Sequence, residues 1–560
     1  MEKQHDIEIN PFETAAASTQ LAADEAIQPP KRSHNISSSL RKLVHDVSWA
    51  FTTASDGVQD WTPFFLVFSY FFFSTTIYMN ATSRITEVFW FVYLMTNTYI
   101  ATATVVESVV ALGTFQDAKR ALDKVAKNNW QFPSAESDLP KLDIIVVAYL
   151  PNEQDIVMDR VKYLLDEIVY PRDKFRVNLL YNTPYAIEPL EKELFALMAH
   201  NPKNLRVVKV PNSKSKADNI NYYCNALETD ADVSAIFDCD HYPHPYAPRW
   251  AMERFVKDKQ VDIVQGRCVV LNTDDNMMTA MIGIEFDKIY AVSHPGRSEM
   301  FHFGLFCGSN GYWRTSLLRA LKMDDSMLTE DIDSALRAFG GGAKTVHDLN
   351  VTSFELAPVT PSAFWKQRLR WSQGWVQASF RHMHLIWSRA PEGKTRTMRQ
   401  RFGIMSLLFI RELSYYLITQ YLCLVLSVVI TRFPKSWHDL YVLVFFQYPI
   451  AWWLFIFSVL ALAGTLWVTF HFRSEFCRWY SMPIFATTYL PQLVLTAVIG
   501  LFGHARQVMF HKLYTLPNHV RTDLRTEGVF LGRFYITGLD GLLSTPYGEL
   551  RACMMDVLAS

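Results

Sequence analysis

The chain has 560 residues, of which half are hydrophobic, 14% aromatic and 19% charged, and its formal net charge is -1. That length exceeds what one compact domain usually holds, and the composition leans toward a membrane protein over an average soluble one. The near-neutral charge leaves no basic surplus for nucleic acid, and seven cysteines without a CxxC pair exclude a zinc ribbon or a dithiol redox motif.

Residues 1–60 read as a disordered cytosolic tail. The first 45 are polar and carry Pro29-Pro30-Lys31-Arg32 and a serine run at 37–39. They do not read as a signal peptide, because the first apolar run begins only near Trp61. Residues 61–113 contain two apolar stretches, 62–79 and 88–106, joined by a loop at 80–87. Each is about 20 residues long, enough to cross a ~30 Å hydrocarbon layer. Lys31, Arg32, Arg41 and Lys42 precede them and Lys119, Arg120, Lys124 and Lys127 follow, whereas the loop holds one arginine. Positive charge favours the inside, so the tail and the long middle region are expected in the cytosol. Asn80-Ala81-Thr82 is an acceptor tripeptide that this topology places outside, and Asn80 is the expected glycosylation site.

Residues 114–400 lack a membrane-length run. Short β-rich segments at 142–148, 176–180, 205–210, 234–237 and 262–265 alternate with helical ones, which predicts a parallel α/β sheet covered on both faces. In such sheets ligands bind at the carboxyl ends of the strands, and Asp238-Cys239-Asp240 falls directly after one of them. Residues 401–502 return to apolar character. They predict an interfacial helix at 402–410, broken by Arg411 and Glu412, and spans at 413–430 and 440–470. The stretch 482–502 carries Pro483, Pro491 and Gln492 and is expected to lie along the cytosolic interface. The alternative is a fifth span with the C-terminal region outside. Residues 503–560 are expected to be cytosolic.

Three clusters within the middle region carry chemistry. Asp238 and Asp240, at i and i+2 of an extended segment, can meet one divalent cation bound to a diphosphate. Glu330 and Asp331 follow Thr329, where acidic first-turn residues also suit a helix N-terminus capped by that threonine. Gln367, Arg368, Arg370 and Trp371 form a QxxRW segment whose arginine can grip phosphate through paired N–H donors and whose indole offers a flat face.

The order and spacing of these clusters resemble the processive, membrane-bound family 2 glycosyltransferases, the cellulose, chitin and hyaluronan synthases and their relatives. The HPGR stretch His294–Arg297 and the GSNGYWR stretch Gly308–Arg314 are closest to the fungal and bacterial branch called type 2 glycosyltransferases. The resemblance is strong over about 140–380 and loose for the membrane layout. It implies a Rossmann-like (GT-A) α/β domain inserted in an α-helical transmembrane bundle, with Mg²⁺ or Mn²⁺ as cofactor. It makes Asp331, beside Glu330, the general base that takes the acceptor hydroxyl proton, with inversion at the anomeric carbon. It assigns Asp238 and Asp240 to the metal, and Tyr149, Asn152, Glu153, Asn182, Lys216, Asn219, Asp238, Gln367, Arg368 and Arg370 to the nucleotide sugar. Trp371, Cys307, Gly308 and Ser309 fall to the acceptor, as does the loop around Gln265, Gly266 and Arg267. His519–Thr522 would be a gating loop. One departure stands out: the family has an Asp pair after the second strand, where this chain has Tyr181-Asn182-Thr183, so donor identity is less secure than reaction type.

The resulting expectation is a multi-pass enzyme, in the plasma membrane with a cytosolic catalytic domain, that moves hexose or N-acetylhexosamine from a UDP-sugar onto a growing β-linked cell-surface or cell-wall polysaccharide. Export through the bundle would accompany synthesis. Its partners would be the donor, the polysaccharide acceptor and membrane lipids, with no nucleic acid; a homo-oligomer or accessory subunits remain open. The alternatives are a non-processive transferase acting on a lipid and a catalytically inactive membrane scaffold.

Overall fold

The computed structural model describes residues 61–445 and 449–509. The expected tail at 1–60, the gating loop at 519–522 and most of 503–560 lie outside the described residues.

Eight strands build one sheet: β1 (Leu142–Tyr149), β2 (Phe175–Asn182), β3 (Leu205–Lys209), β4 (Val233–Asp238), β5 (Tyr242–Pro243), β6 (Val261–Val270), β7 (Gly311–Arg314) and β8 (Lys344–Glu355). Their order is β3-β2-β1-β4-β7-β6-β8-β5. All five strands expected from the sequence are present. The sheet is mixed, however, because β7 runs antiparallel to both β4 and β6, and β5 antiparallel to β8. β5, β7 and β8 escape a sequence reading for physical reasons. β5 is two residues long, β7 four, and β8 (KTVHDLNVTSFE) mixes polar and apolar residues without a clean alternation.

The parallel half, β3-β2-β1-β4, follows directly from hydrophobicity. In β1 successive side chains point to opposite faces: Ile144, Val146 and Ala148 join one buried cluster, and Ile145 and Val147 the other. The polar exception, Asp143, is matched. It accepts from Arg176 Nε and Nη2 at 3.0 and 3.1 Å and from the Tyr223 hydroxyl at 2.8 Å. Register pairs Val147 with Asp238, which puts the DCD triplet at the carboxyl edge of the sheet.

Five helices are long and apolar enough to cross a membrane: Trp61–Asn80, Ser83–Lys127, Met398–Arg432, Trp452–Phe472 and Ser481–Val508. Their details revise the expected layout. Only Ala81 and Thr82 separate the first two helices, not eight residues. The second has 45 residues, roughly 68 Å at the α-helical rise, so 88–106 is only its middle, and its far end reaches the sheet domain. There Asn350 Nδ2 donates to Ala118 O at 2.9 Å, and Arg297 pairs with Glu107 at 3.2 Å. Residues 402–410 are not a separate interfacial helix. They continue through a π-helical segment, Ser406–Ile410, into Arg411–Arg432. The break expected at Arg411-Glu412 does not occur, because Glu412 meets His504 Nε2 at 3.0 Å and Arg411 stacks over Trp375 at 3.9 Å. Of the expected span at 440–470, the described residues form the helices Trp437–Phe445 and Pro449–Phe472. The prolines of 482–502 do not break it either: Pro483 sits in the first turn of Ser481–Met509, where no N–H is needed, and Pro491 is accommodated inside.

Candidate active site

A cavity of about 1550 Å³ opens at the carboxyl edge of the sheet and extends between the helices. Asn152, Glu153, Lys216, Asp238 and Asp240 line its sheet side, Glu330 and Asp331 its floor, and Gln367, Arg368, Arg370 and Trp371 its helical wall. The three clusters thus share one cavity.

Gly308 is where two of them meet. Its φ of +90° suits glycine, and a Cβ there would lie 3.1 Å from Asp331 Oδ2. Its carbonyl accepts from Lys216 Nζ at 2.6 Å, and the same ammonium lies 2.5 Å from Asp238 Oδ1. Lys216 opens helix Lys216–Ala226, whose N-cap Ser215 accepts from Asp218 N. Burial opposes its charge, but Asp238, Glu330 and Asp331 hold the ammonium above its ordinary range.

Asp238 ends β4, and its backbone N–H donates to Ser309 Oγ at 3.2 Å. Ligating atoms of Asp238, Asp240 and His241 lie within 4.8 Å of one another. His241 is buried and already engaged by Glu355 at 3.4 Å and Ser353 at 3.2 Å, so Asp240 and the Asp238 oxygen not paired with Lys216 are the donors that face the cavity. Hard carboxylate oxygens facing a cavity fit Mg²⁺ or Mn²⁺. Glu153 stands nearby, its carboxyl pushed up to about 8 by burial and then by Asp240 and Asp238.

Asp331 lies in the first turn of helix Glu330–Gly340. Burial, reinforced by the charge of Glu330, pushes its carboxyl up to about 7, where a base works at neutral pH. The expected Thr329 cap is not formed. Thr329 packs instead against Gly374 of helix Pro361–His382, where a Cβ would come 2.4 Å from its Cγ2. Gln377 Oε1 on the same helix accepts from Leu328 N at 3.0 Å, and Arg370 Nη1 donates to Leu328 O at 3.4 Å. Behind them, buried Asp333 accepts from Arg337 at 2.7 Å and contacts His382 Nε2 at 2.8 Å. These contacts fix the start of the helix bearing Asp331 against the Arg370–Trp371 helix.

Several expected site residues lie elsewhere. Tyr149 is exposed and outside the cavity lining, though its N–H donates to Glu153 at 2.7 Å. Asn182 and Asn219 also lie outside it: Asn219 Nδ2 donates to Asn182 Oδ1 at 3.2 Å and Ser213 Oγ to Asn219 Oδ1 at 2.6 Å, so the pair braces the loop bearing Lys214 and Ser215. Gln265 is buried and supports Cys307 N and Ser309 O. Arg267 turns away to Asp287 at 2.6 Å. Arg368 lines the cavity but is paired in a bidentate manner with Glu285, at 2.9 and 2.8 Å. Cys307, Gly308 and Ser309 line it. Asn80 is exposed at the end of the first helix, its amide donating to Thr76 O at 2.8 Å. The sequence reading missed Glu285, Lys288, Trp375, Arg411, Tyr415 and Tyr489, all cavity-lining. Only Trp375 left a trace there, four residues after Trp371 on the same helix face.

A family model described as "Glycosyl transferase family group 2" matches residues 235–499, somewhat less than half of the chain. "Probable glycosyltransferase YdaM" of Bacillus subtilis (strain 168) is 25% identical over 245 residues, covering 42% of this chain and 56% of its own. "Glucomannan 4-beta-mannosyltransferase 1" of Oryza sativa subsp. japonica is 28% identical over 291 residues, covering 49% and 53%. "Glucomannan 4-beta-mannosyltransferase 2" of Arabidopsis thaliana is 31% identical over 199 residues, covering 35% and 36%. The chain therefore spans about half the length, or less, of these relatives. A solved structure, "Mannosyltransferase PcManGT from Pyrobaculum calidifontis in complex with GDP-Man and Mn2+", aligns at 17% identity and TM-score 0.42 over 66% of this chain and 99% of that one, a likeness too distant to fix fold or ligand.

Proposed function

We propose that the protein is a membrane-embedded, inverting glycosyltransferase that moves a hexose or N-acetylhexosamine from a nucleoside diphosphate sugar, a UDP-sugar in the first instance, to a growing β-linked polysaccharide. The observation that carries this reading is the convergence on Gly308 of Lys216, Asp238 and Asp331, opposite Arg370 and Trp371 in one cavity.

Asp331 takes the proton of the attacking acceptor hydroxyl. Its raised pKa suits that transfer, and its single carboxylate gives one displacement and hence inversion. Arg370 offers guanidinium N–H groups to the departing diphosphate, and Lys216 adds a second cation beside it. Trp371 supports the acceptor ring. Asp238 and Asp240 would hold Mg²⁺ or Mn²⁺, which when bound neutralises charge on the diphosphate. Glu153 and Asn152 complete the donor side, with the loop braced by Asn182 and Asn219 behind them. The neutral Asn182 leaves the nucleobase open, so GDP-sugars belong in the test beside UDP-sugars, and the mannosyltransferase names among the relatives add mannose to the hexoses tried. The continuation of the cavity past Trp375, Tyr415 and Tyr489 suits export of the product across the membrane from a cytosolic catalytic domain.

The test is nucleotide release and product length for the purified protein, with Mg²⁺ or Mn²⁺, across UDP- and GDP-sugars. A polymer that disappears with Asp331→Asn is the expected result. A single-sugar glycolipid would refute the polymerase reading in favour of a lipid-acceptor enzyme. Release from no donor would leave an inactive scaffold.

A further inference from the structure

We infer that Glu285 is a positioning residue for the acceptor platform, acting through Arg368 on Trp371; this deepens the proposed function and rests on Trp371 as the platform. Glu285 closes helix Met277–Phe286, which runs along one wall of the cavity. Both of its carboxylate oxygens accept from Arg368, Oε1 from Nη1 at 2.9 Å and Oε2 from Nη2 at 2.8 Å. A bidentate fork of this kind fixes orientation as well as distance. The guanidinium so held lies 4.6 Å over the Trp371 ring and 5.0 Å over Phe364. Phe286 closes on Trp371 from the side, with ring centroids 6.4 Å apart and planes inclined at 41°.

One face of the indole is therefore occupied by a cation with a planar, delocalised head, and a sugar has only the other face to stack on. Without its carboxylate partner the arginine would be free to swing toward the diphosphate. That is where a reading of the motif alone sends it, since two arginines two positions apart look equivalent in sequence. The structure separates them: Arg370 donates to Leu328 O, whereas Arg368 is held by both carboxylate oxygens of Glu285 and its side chain is 12% exposed. The helix that bears Glu285 is itself anchored to the lead-in of the Trp371 helix. Asn276, its N-cap, donates to Val359 O at 3.1 Å, and Asn272 donates to Ala357 O at 3.1 Å. The clasp is thus a rigid bracket between two elements, and its working part is the angle at which Trp371 meets the acceptor.

Two measurements on Glu285→Gln and Arg368→Lys, in the full-length protein, test this. The first is hydroxyl-radical labelling of Trp371 read by mass spectrometry and referred to Trp375, and it requires no turnover. Opening the clasp bares the second indole face, so labelling of Trp371 is expected to rise severalfold while Trp375 stays constant. The second is kinetic: KM for an oligosaccharide acceptor is expected to rise about tenfold, with donor hydrolysis in the absence of acceptor unchanged. Unchanged labelling of Trp371 would overturn the proposal, and so would an equal fall in hydrolysis and transfer. Should the wild-type protein turn over no donor, the glycosyltransferase reading fails by that result and the labelling still decides the clasp.

Discussion

The cavity has two walls, and they are held in place differently. On the sheet side, Asp238 is the last residue of β4, and Lys216 opens a helix capped by its own neighbour. Those placements are local: once the strand is buried, the carboxylate must emerge at its end. On the helical side, Arg370 and Trp371 reach the same cavity only through partners far along the chain. Gly374 fits against Thr329, Gln377 holds Leu328 and His382 holds Asp333. The sheet wall is therefore set by backbone topology and the buried core beneath it. The helical wall is set by a few specific contacts, and a fault in one of them moves the clamp relative to the base.

The largest expected effect lies where the walls meet. Asp331→Asn should lower sugar transfer by roughly 10²–10⁴-fold with the fold retained, measured by nucleotide release beside a thermal melt. Next comes the clasp behind the base. Asp333→Asn leaves Arg337 and His382 without their buried partner and should cost about 3 kcal/mol of stability, read from denaturant unfolding. A matching loss at an exposed pair would erase the distinction between the two walls. Gly374→Ala brings a methyl onto Thr329 and should cost about 1–3 kcal/mol, with transfer falling more than donor binding because the base and the clamp separate. A milder probe is pH. The Asp331 carboxyl, raised to about 7, is active when ionised, so kcat/KM should fall about tenfold per unit as pH drops below 7 and level off above it. Asp331→Asn should flatten that limb. The smallest effect is expected at the Arg120–Asp117 pair, which is exposed on the long second helix. Asp117→Asn should change stability by no more than about 0.5 kcal/mol.

Legibility in the sequence follows the same division. Strand β1 could be read because both its faces are buried, which leaves the apolar run Ile144–Ala148, and β2 to β4 because each keeps a shorter apolar core. The DCD triplet gained its meaning from the strand before it. β7 was hidden inside the GSNGYWR stretch because it is four residues long, and β8 because its polar residues are matched by partners elsewhere, Asp348 by Arg254 for example. The helix breaks expected at Arg411-Glu412 and at Pro491 failed for a related reason. A charge or a proline ends a helix only when nothing compensates it, and His504 and Trp375 are invisible from position 411.

The amino-acid order alone determined the α/β core, the run of apolar helices around it and the residue types that gather at one end of the sheet, because burial and periodicity are local properties of a chain. Tertiary structure alone decided that Arg370 lines the cavity and donates to Leu328 O while Arg368 is held by Glu285, and that Asn182 and Asn219 serve a loop instead of lining the cavity. The role of a charged side chain depends on which opposite charge reaches it first, and that is set by folding across tens to hundreds of residues.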